Sequence, residues 1–129
     1  MDNLGLELCE PHQTRMMKLM AKYNTPVEAI QLYYGLKEVG VSSMLEWWDG
    51  KKSVDLAISR VKLNIEIDAE YHMMTHEQAI NDLERTMHSF KNGFTTIRIP
   101  HVLIKHYLKE TVENILGIME GIKANIKVI

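Results

Sequence analysis

The sequence predicts an α/β domain in which helices flank a mixed β-sheet, in the order helix, three strands, helix, strand, helix. Three strand-like runs follow one another, MLEWW (44–48), VDLAI (54–58) and VKLNIEID (61–68). A helical pattern over 76–91 then separates them from FTTIRI (94–99). Two strands joined by a crossover helix form a parallel pair with a right-handed connection, whereas closely spaced strands pair antiparallel. A mixed sheet follows from this order of elements.

The composition is that of one globular domain. The 129 residues suit a single hydrophobic core over 1–129, with 1–24 as an N-terminal helical extension. Hydrophobic residues make up 46% and charged residues 25%, and the net charge of −2 argues against a strongly basic coat for nonspecific nucleic-acid binding. Cys9 is the single cysteine, and no signal peptide or membrane segment is evident. We therefore expect a cytoplasmic protein.

The first predicted helix, TPVEAIQLYYGLKEVG, carries signals at both ends. Thr25 is a plausible N-cap, Pro26 fits the first helical position and Glu28 completes a capping box. Gly40 is expected to end the helix.

The predicted helix before FTTIRI begins with a capping box of Thr75 and Gln78 and stops at Asn92-Gly93. Its apolar residues recur at helical spacing and predict a buried stripe. A last helix should reach about residue 126. The stripe consists of Ile80, Leu83, Met87 and Phe90, and the last helix should turn Val112, Ile115, Met119, Ile122 and Ile126 inward.

Acidic residues recur on one face of two neighbouring strands. Side chains alternate along a strand, so Asp55 lies on the polar face of its strand, and Asn64, Glu66 and Asp68 lie together on the next. A short loop at Ser59-Arg60 sets Asp55 opposite Asn64 or Glu66. Converging carboxylates favour a hard divalent cation such as Mg²⁺ or Mn²⁺. The simpler interpretation is an ordinary solvated strand face.

The strings SVDLAISRVKLNIEIDAEYH and NDLERTMHSFKNGFTTIRIP resemble small nucleases of the PD-(D/E)XK superfamily, in the branch related to very-short-patch-repair endonucleases. The resemblance spans about 25–122 and implies a restriction-endonuclease-like αβββαβ core with additional N-terminal and C-terminal helices. It implies that Asp55 and Glu66 are the metal ligands and that Glu28 is an auxiliary acid. His72 would activate water or contact phosphate.

The same resemblance gives roles to the following helix and strand. Asp82 and Arg85 match the helix motif of that branch, with Asp82 supporting His72 and Arg85 binding phosphate, and Arg98 stands in the IRI strand. The plainer interpretation makes Asp82 and Arg85 an intrahelical ion pair. The plainer interpretation of Glu28 is a capping-box residue of its helix.

Two residues depart from the superfamily pattern. Asp68 stands where the superfamily commonly has lysine, and Ala69 replaces a glycine of the close relatives. The lysine-assisted mechanism therefore cannot apply unchanged, and either His72 or Lys62 takes that part, or activity is altered or lost. Asp68 is retained as an assisting acid.

These observations predict a Mg²⁺- or Mn²⁺-dependent endonuclease that hydrolyses DNA phosphodiesters. The alternatives are a nuclease-fold interaction module without turnover, for nucleic acid or protein, and a small enzyme acting on RNA. A homodimer or a protein partner fits the near-neutral charge, because electrostatic affinity for DNA alone would be modest. The expected basic contacts are Lys51, Lys52, Arg60, Lys62, Arg85 and Arg98.

Overall fold

The structure, a computed structural model, describes residues 26–48, 53–68 and 75–128, with side chains up to 125. The predicted N-terminal extension lies outside these ranges. So do several predicted site positions and their neighbours: Thr25, Lys51, Lys52, Ala69, His72 and the side chain of Ile126.

The described helices and strands follow the predicted order, with a short helix added after the last strand. The elements are α1 (Val27–Glu38), β1 (Met44–Trp48), β2 (Ser53–Ile58), β3 (Leu63–Asp68), α2 (His76–Lys91), β4 (Thr95–Pro100), α3 (His101–His106) and α4 (Leu108–Val128).

The four strands form one sheet in the order β1-β2-β3-β4. The pairs β1–β2 and β2–β3 are antiparallel, and β3–β4 is parallel across the α2 crossover. The sheet is therefore mixed and flanked by helices, and the predicted α/β class with an αβββαβ core is confirmed.

One face of the sheet carries the hydrophobic core. Leu56, Ile58, Leu63 and Ile65 are fully buried there, and α1, α3 and α4 supply most of the remaining side chains of the buried cluster. The approach of α1 to α4 is close at Gly35, where a Cβ would stand 3.2 Å from Val112 Cγ2. An alanine at position 35 would require the Val112 side chain to shift by a few tenths of an ångström.

The ends of α1 confirm one predicted signal and correct another. Gly40 adopts φ +84°, and the Val41 and Gly40 N–H groups donate to the Leu36 and Lys37 carbonyls in a Schellman arrangement. At the start, Pro26 is the N-cap, without a side-chain capping bond, because α1 begins at Val27. Pro26 therefore takes the N-cap place predicted for Thr25, and the Thr25 part of the predicted capping box lies outside the described residues.

The connection between β2 and β3 is longer than a simple two-residue turn. Ser59–Val61 form a 3₁₀ turn and Lys62 has the left-handed backbone of φ 54°. Strand β3 consequently begins at Leu63 rather than at the predicted Val61, and Ile58 pairs with Leu63. The loop thereby fixes the register between β2 and β3.

Helix α2 has the predicted start and stop, but the side of the helix that faces the sheet is not the predicted one. The Thr75–Gln78 capping box is formed and Gly93 follows the helix at φ +87°. The apolar stripe predicted to be buried is instead exposed, whereas Ser89 on the other side is buried. The sheet face beneath α2 is polar, so the helix turns its own polar side toward it. The exposed stripe is Ile80, Leu83, Met87 and Phe90.

The C-terminal helix confirms its predicted inward positions. Val112, Ile115 and Met119 are buried, and Ile122 is partly buried against the core. The helix starts at Leu108 because the chain breaks its helical path at Tyr107, after α3. Among the helices in the described ranges, none is both long and apolar enough to cross a membrane.

Candidate functional site

The polar face of the sheet brings two predicted acidic residues next to each other. Leu56 pairs with Ile65 and Ala57 with Asn64, so the next step in the register sets Asp55 across from Glu66. Residues opposed in this way share a face. The sequence predicted either Asn64 or Glu66 as the residue opposite Asp55. The loop that ends at Lys62 sets the register in which Glu66 is that residue.

Asp55 lies at the point where β2 and β3 stop pairing. The ladder ends at Leu56–Ile65, and the Ile67 N–H beyond it donates to Asp55 Oδ2 at 2.8 Å. The carboxylate takes the place of a strand carbonyl and satisfies a backbone donor at the end of the ladder. Asp55 therefore has a structural task, and its partly buried side chain is fixed beside β3.

The third predicted carboxylate does not join this pair. Asp68 shares the face of Glu66 by strand alternation, but it is exposed at the last position of β3. In the part of the chain that the structure describes, no three His, Cys, Asp or Glu side chains lie close enough together to hold one metal ion. Within the described residues, Asp68 therefore forms no three-ligand group with Asp55 and Glu66, and its assisting role stays a prediction.

Glu66 faces basic residues on its other side. It pairs in register with Arg98 of the parallel strand β4, and Arg85 Nη2 of α2 lies 3.9 Å from Glu66 Oε2. The Arg85 side chain remains 42% exposed, whereas that of Glu66 is 15% exposed. An exposed guanidinium beside a buried acid can offset the charge of the acid and still reach an anion outside.

Arg98 has a different environment from the one predicted for a nucleic-acid contact. Its Nη2 lies 2.8 Å from Asp82 Oδ2 and also donates to Asp82 Oδ1 and to Thr86 Oγ1, both at 2.9 Å. The partner of Asp82 is thus on β4, and the predicted intrahelical pair with Arg85 is not what holds it. This pair joins α2 to the sheet.

Lys62 lies away from the acidic pair. It belongs to the β2–β3 turn, and the end of its side chain passes over Gly93, where a Cβ would stand 3.5 Å from Lys62 Nζ. Glu66 is four residues further along β3, or roughly 13 Å at the rise of a strand. Lys62 is therefore not placed to substitute for the missing lysine.

Glu28 meets a residue that the sequence analysis did not select. Glu28 Oε2 lies 3.9 Å from His101 Nδ1, and both side chains are at most 20% exposed. His101 follows β4 directly, one residue after Pro100, which pairs with Asp68. The only sequence signal was a histidine immediately after the predicted IRI strand, and its partner is too far away in sequence to be inferred.

Polar atoms are also buried beneath α2. The Asn64 side chain is 1% exposed, and among the described residues neither its Oδ1 nor its Nδ2 finds a hydrogen-bond partner. The same holds for Thr96 Oγ1, on the neighbouring strand, and for Arg85 Nε. Leaving a buried amide unsatisfied costs roughly 1–3 kcal/mol. This face is thus built from polar groups at a cost in stability.

The acidic pair offers a partial fit to a divalent cation. Asp55 and Glu66 supply hard oxygen donors, and a carboxylate that accepts an N–H through one oxygen can ligate through the other. His72, predicted to assist, lies outside the described residues. The described chain thus contains both predicted ligands, Asp55 and Glu66, and an adjacent arginine.

Comparisons with known proteins give no match: no family model, no curated protein and no solved structure is significantly similar to this chain. The resemblance to the PD-(D/E)XK superfamily therefore stays a prediction from the sequence.

Proposed function

We propose that the protein is a divalent-metal-dependent endonuclease of the PD-(D/E)XK type that hydrolyses phosphodiesters in DNA. The observation that supports this most is the antiparallel register of β2 and β3, which ends at Leu56–Ile65 and, continued by one step, sets Asp55 across from Glu66. Two acids at neighbouring strand positions are expensive to hold together unless a cation or a basic group balances them. The αβββαβ order of the elements is consistent with the same proposal.

In this proposal Asp55 and Glu66 hold Mg²⁺ or Mn²⁺. The ion, when bound, would lower the pKa of a water molecule and offset charge on the phosphate under attack. The protein contributes rigid placement: the Ile67 N–H fixes the Asp55 carboxylate, and β3 fixes Glu66. Asp68 and Glu28 remain assisting acids.

Phosphate contact falls to Arg85 rather than to Arg98. The Arg98 Nη2 is occupied by Asp82 and Thr86, whereas the Arg85 side chain is 42% exposed beside Glu66. A guanidinium in this position can bind a phosphate oxygen through two N–H groups. Arg98 and Asp82 then act by holding α2, and through it Arg85, against the sheet.

The second candidate function is an interaction module that keeps this fold without turnover. Asp55 already accepts the Ile67 N–H and Glu66 already has Arg85 within ion-pair distance, so the protein itself satisfies both acids. Asp68 in the position of the usual lysine supports the same alternative. Such a module would bind DNA or a protein but would not bind Mn²⁺.

The decisive experiment incubates the protein with supercoiled, nicked and branched DNA, and with RNA, in Mg²⁺ or Mn²⁺. The proposal expects cleavage of DNA by the wild type and a loss of at least about 100-fold in Asp55→Asn and Glu66→Gln, because both acids hold the ion. Glu120→Gln, an exposed acid on α4, is the matched control and should cleave normally. These conservative changes preserve side-chain size and an oxygen acceptor.

Titration calorimetry with Mn²⁺ separates the two candidates. Metal binding that Glu66→Gln abolishes supports the nuclease, whereas a folded protein without metal binding or cleavage supports the interaction module. Cleavage that both site variants retain would come from a contaminant and would overturn the assignment. Cleavage confined to RNA would keep the site and replace the substrate.

A further inference from the structure

Helix α2 presents its apolar side to the outside of the domain. Ile80, Leu83, Met87 and Phe90 are 58%, 68%, 49% and 71% exposed, respectively. Isolated exposed apolar residues are ordinary on protein surfaces. Here, however, they form the complete apolar stripe of one helix, which a surface helix normally turns toward a core. Such a stripe indicates a contact surface.

The spacing of the stripe is that of a coiled-coil seam. Its members follow one another at intervals of three, four and three residues along the 16-residue helix, which corresponds to alternating a and d positions of a heptad. Side chains at these positions interlock with those of a second helix. The stripe is therefore suited to a helical partner.

The charges beside the seam specify the direction of that partner. Glu77, Glu84 and Lys91 recur every seventh residue in the row next to the stripe, and all three are exposed. The acids lie in the first and middle turns and the lysine ends the helix. An antiparallel helix with the same sequence would bring Lys91 to Glu77, whereas a parallel one would set this charged row against the partner's uncharged Ala79 and Thr86.

We propose that α2 is a self-association surface, at which two copies of the chain pair antiparallel across a two-fold axis. Ile80 would then pack against the partner's Phe90, and Leu83 against the partner's Met87. Glu77 and the partner's Lys91 would meet at both ends, because a two-fold interface repeats each contact. Antiparallel pairing also sets opposite ends of the two helix dipoles side by side.

A second copy fits this surface because the surface is complementary to itself. Its apolar stripe is symmetric about its middle, and its charges reverse between its two ends. The polar side of α2 stays on its own sheet through the Arg98–Asp82 pair, so dimer formation requires no rearrangement of the domain. The proposal is independent of the proposed nuclease function.

Sedimentation equilibrium of the full chain tests the surface. The wild type is expected to dimerise, and Leu83→Lys to weaken the dimer by at least about 100-fold, since each copy loses a buried leucine. The matched control is Val39→Lys, an apolar residue 50% exposed at the end of α1, which should dimerise like the wild type. Circular dichroism checks that both variants fold.

Charge exchange tests the direction. Glu77→Lys and Lys91→Glu should each weaken the dimer at low salt, and the double variant should recover wild-type affinity because both end contacts are restored. Glu84→Gln should tighten it, since the two copies of Glu84 meet near the axis. A double variant no tighter than the single ones overturns the antiparallel arrangement. A wild type that remains monomeric at all concentrations overturns the surface itself, and would assign the stripe to another segment of the chain or to a different protein.

Discussion

Arg98 on β4 and Asp82 on α2 form an ion pair of 2.8 Å that attaches the crossover helix to the sheet. Both side chains are less than one-third exposed, and Thr86 accepts a further hydrogen bond from the same guanidinium nitrogen. A pair that is partly buried and geometrically fixed stabilises more than a surface ion pair. Its partners sit on elements connected only through the turn at Asn92-Gly93.

Removing either partner should therefore destabilise the domain. We expect Arg98→Ala and Asp82→Ala each to lower the free energy of unfolding by about 1–3 kcal/mol, because each leaves the other charge half-buried. Urea denaturation of both single variants and the double variant measures the coupling, which should be about 1 kcal/mol. Arg60→Ala, in the exposed turn before β3, is the control and should change stability little. Fully additive effects would contradict the contact.

Asp55 should matter for stability before any chemistry is considered. Asp55→Ala is expected to cost about 1–3 kcal/mol, because the Ile67 N–H loses its acceptor. Asp55→Asn keeps an acceptor oxygen and should cost less. Denaturation measures both, with exposed Asp68→Ala as the control. Equal stability of the Asp55→Ala and Asp68→Ala variants would argue against the hydrogen bond.

The buried polar atoms beneath α2 should be replaceable with a gain in stability. Asn64→Leu and Thr96→Val remove polar atoms that lack partners in the described chain, and each should raise the free energy of unfolding by up to about 1 kcal/mol. Thr95→Val, one residue earlier on β4 and exposed, is the matched control and should be near neutral. Thermal unfolding should shift upward by roughly 4 °C per kcal/mol. A loss of stability in Asn64→Leu would show that its amide is satisfied in solution.

Two glycines should respond to alanine in opposite directions. Gly40→Ala should cost about 1 kcal/mol, because φ is +84° and no neighbouring atom within 4 Å could add or relieve a contact. Gly117→Ala, inside α4 and equally open, should stabilise by up to about 1 kcal/mol through helix propensity. Denaturation of the two variants under one condition makes the comparison. A stabilised Gly40→Ala would be inconsistent with the Schellman ending of α1.

The sequence predicted best what is decided locally. The Thr75–Gln78 capping box and the left-handed Gly40 and Gly93 depend on residues within five positions of each other. Their chemistry therefore sufficed, and the order of strands and helices followed from the same signals.

The failures involve contacts between distant parts of the chain. Periodicity located the apolar stripe of α2 but not the side facing the sheet, which depends on the polar row that includes Glu66 and Arg98. The partners of Asp82 and Glu28 lie on β4 and directly after it, far away in sequence. For the acidic pair, alternation gave the shared face, but only the left-handed Lys62 turn decided which residue faces Asp55.

The polar contact between α2 and the sheet also makes ionic strength a selective variable. Among the described helices, α1, α3 and α4 pack on the core through apolar side chains, whereas α2 is attached through Arg98, Asp82, Arg85 and Glu66. Added salt screens ion pairs but does not weaken apolar packing in the same way. Raising the salt concentration should thus weaken the attachment of α2 to the sheet more than it weakens the packing of the other described helices. Local unfolding of the crossover helix should therefore depend on ionic strength.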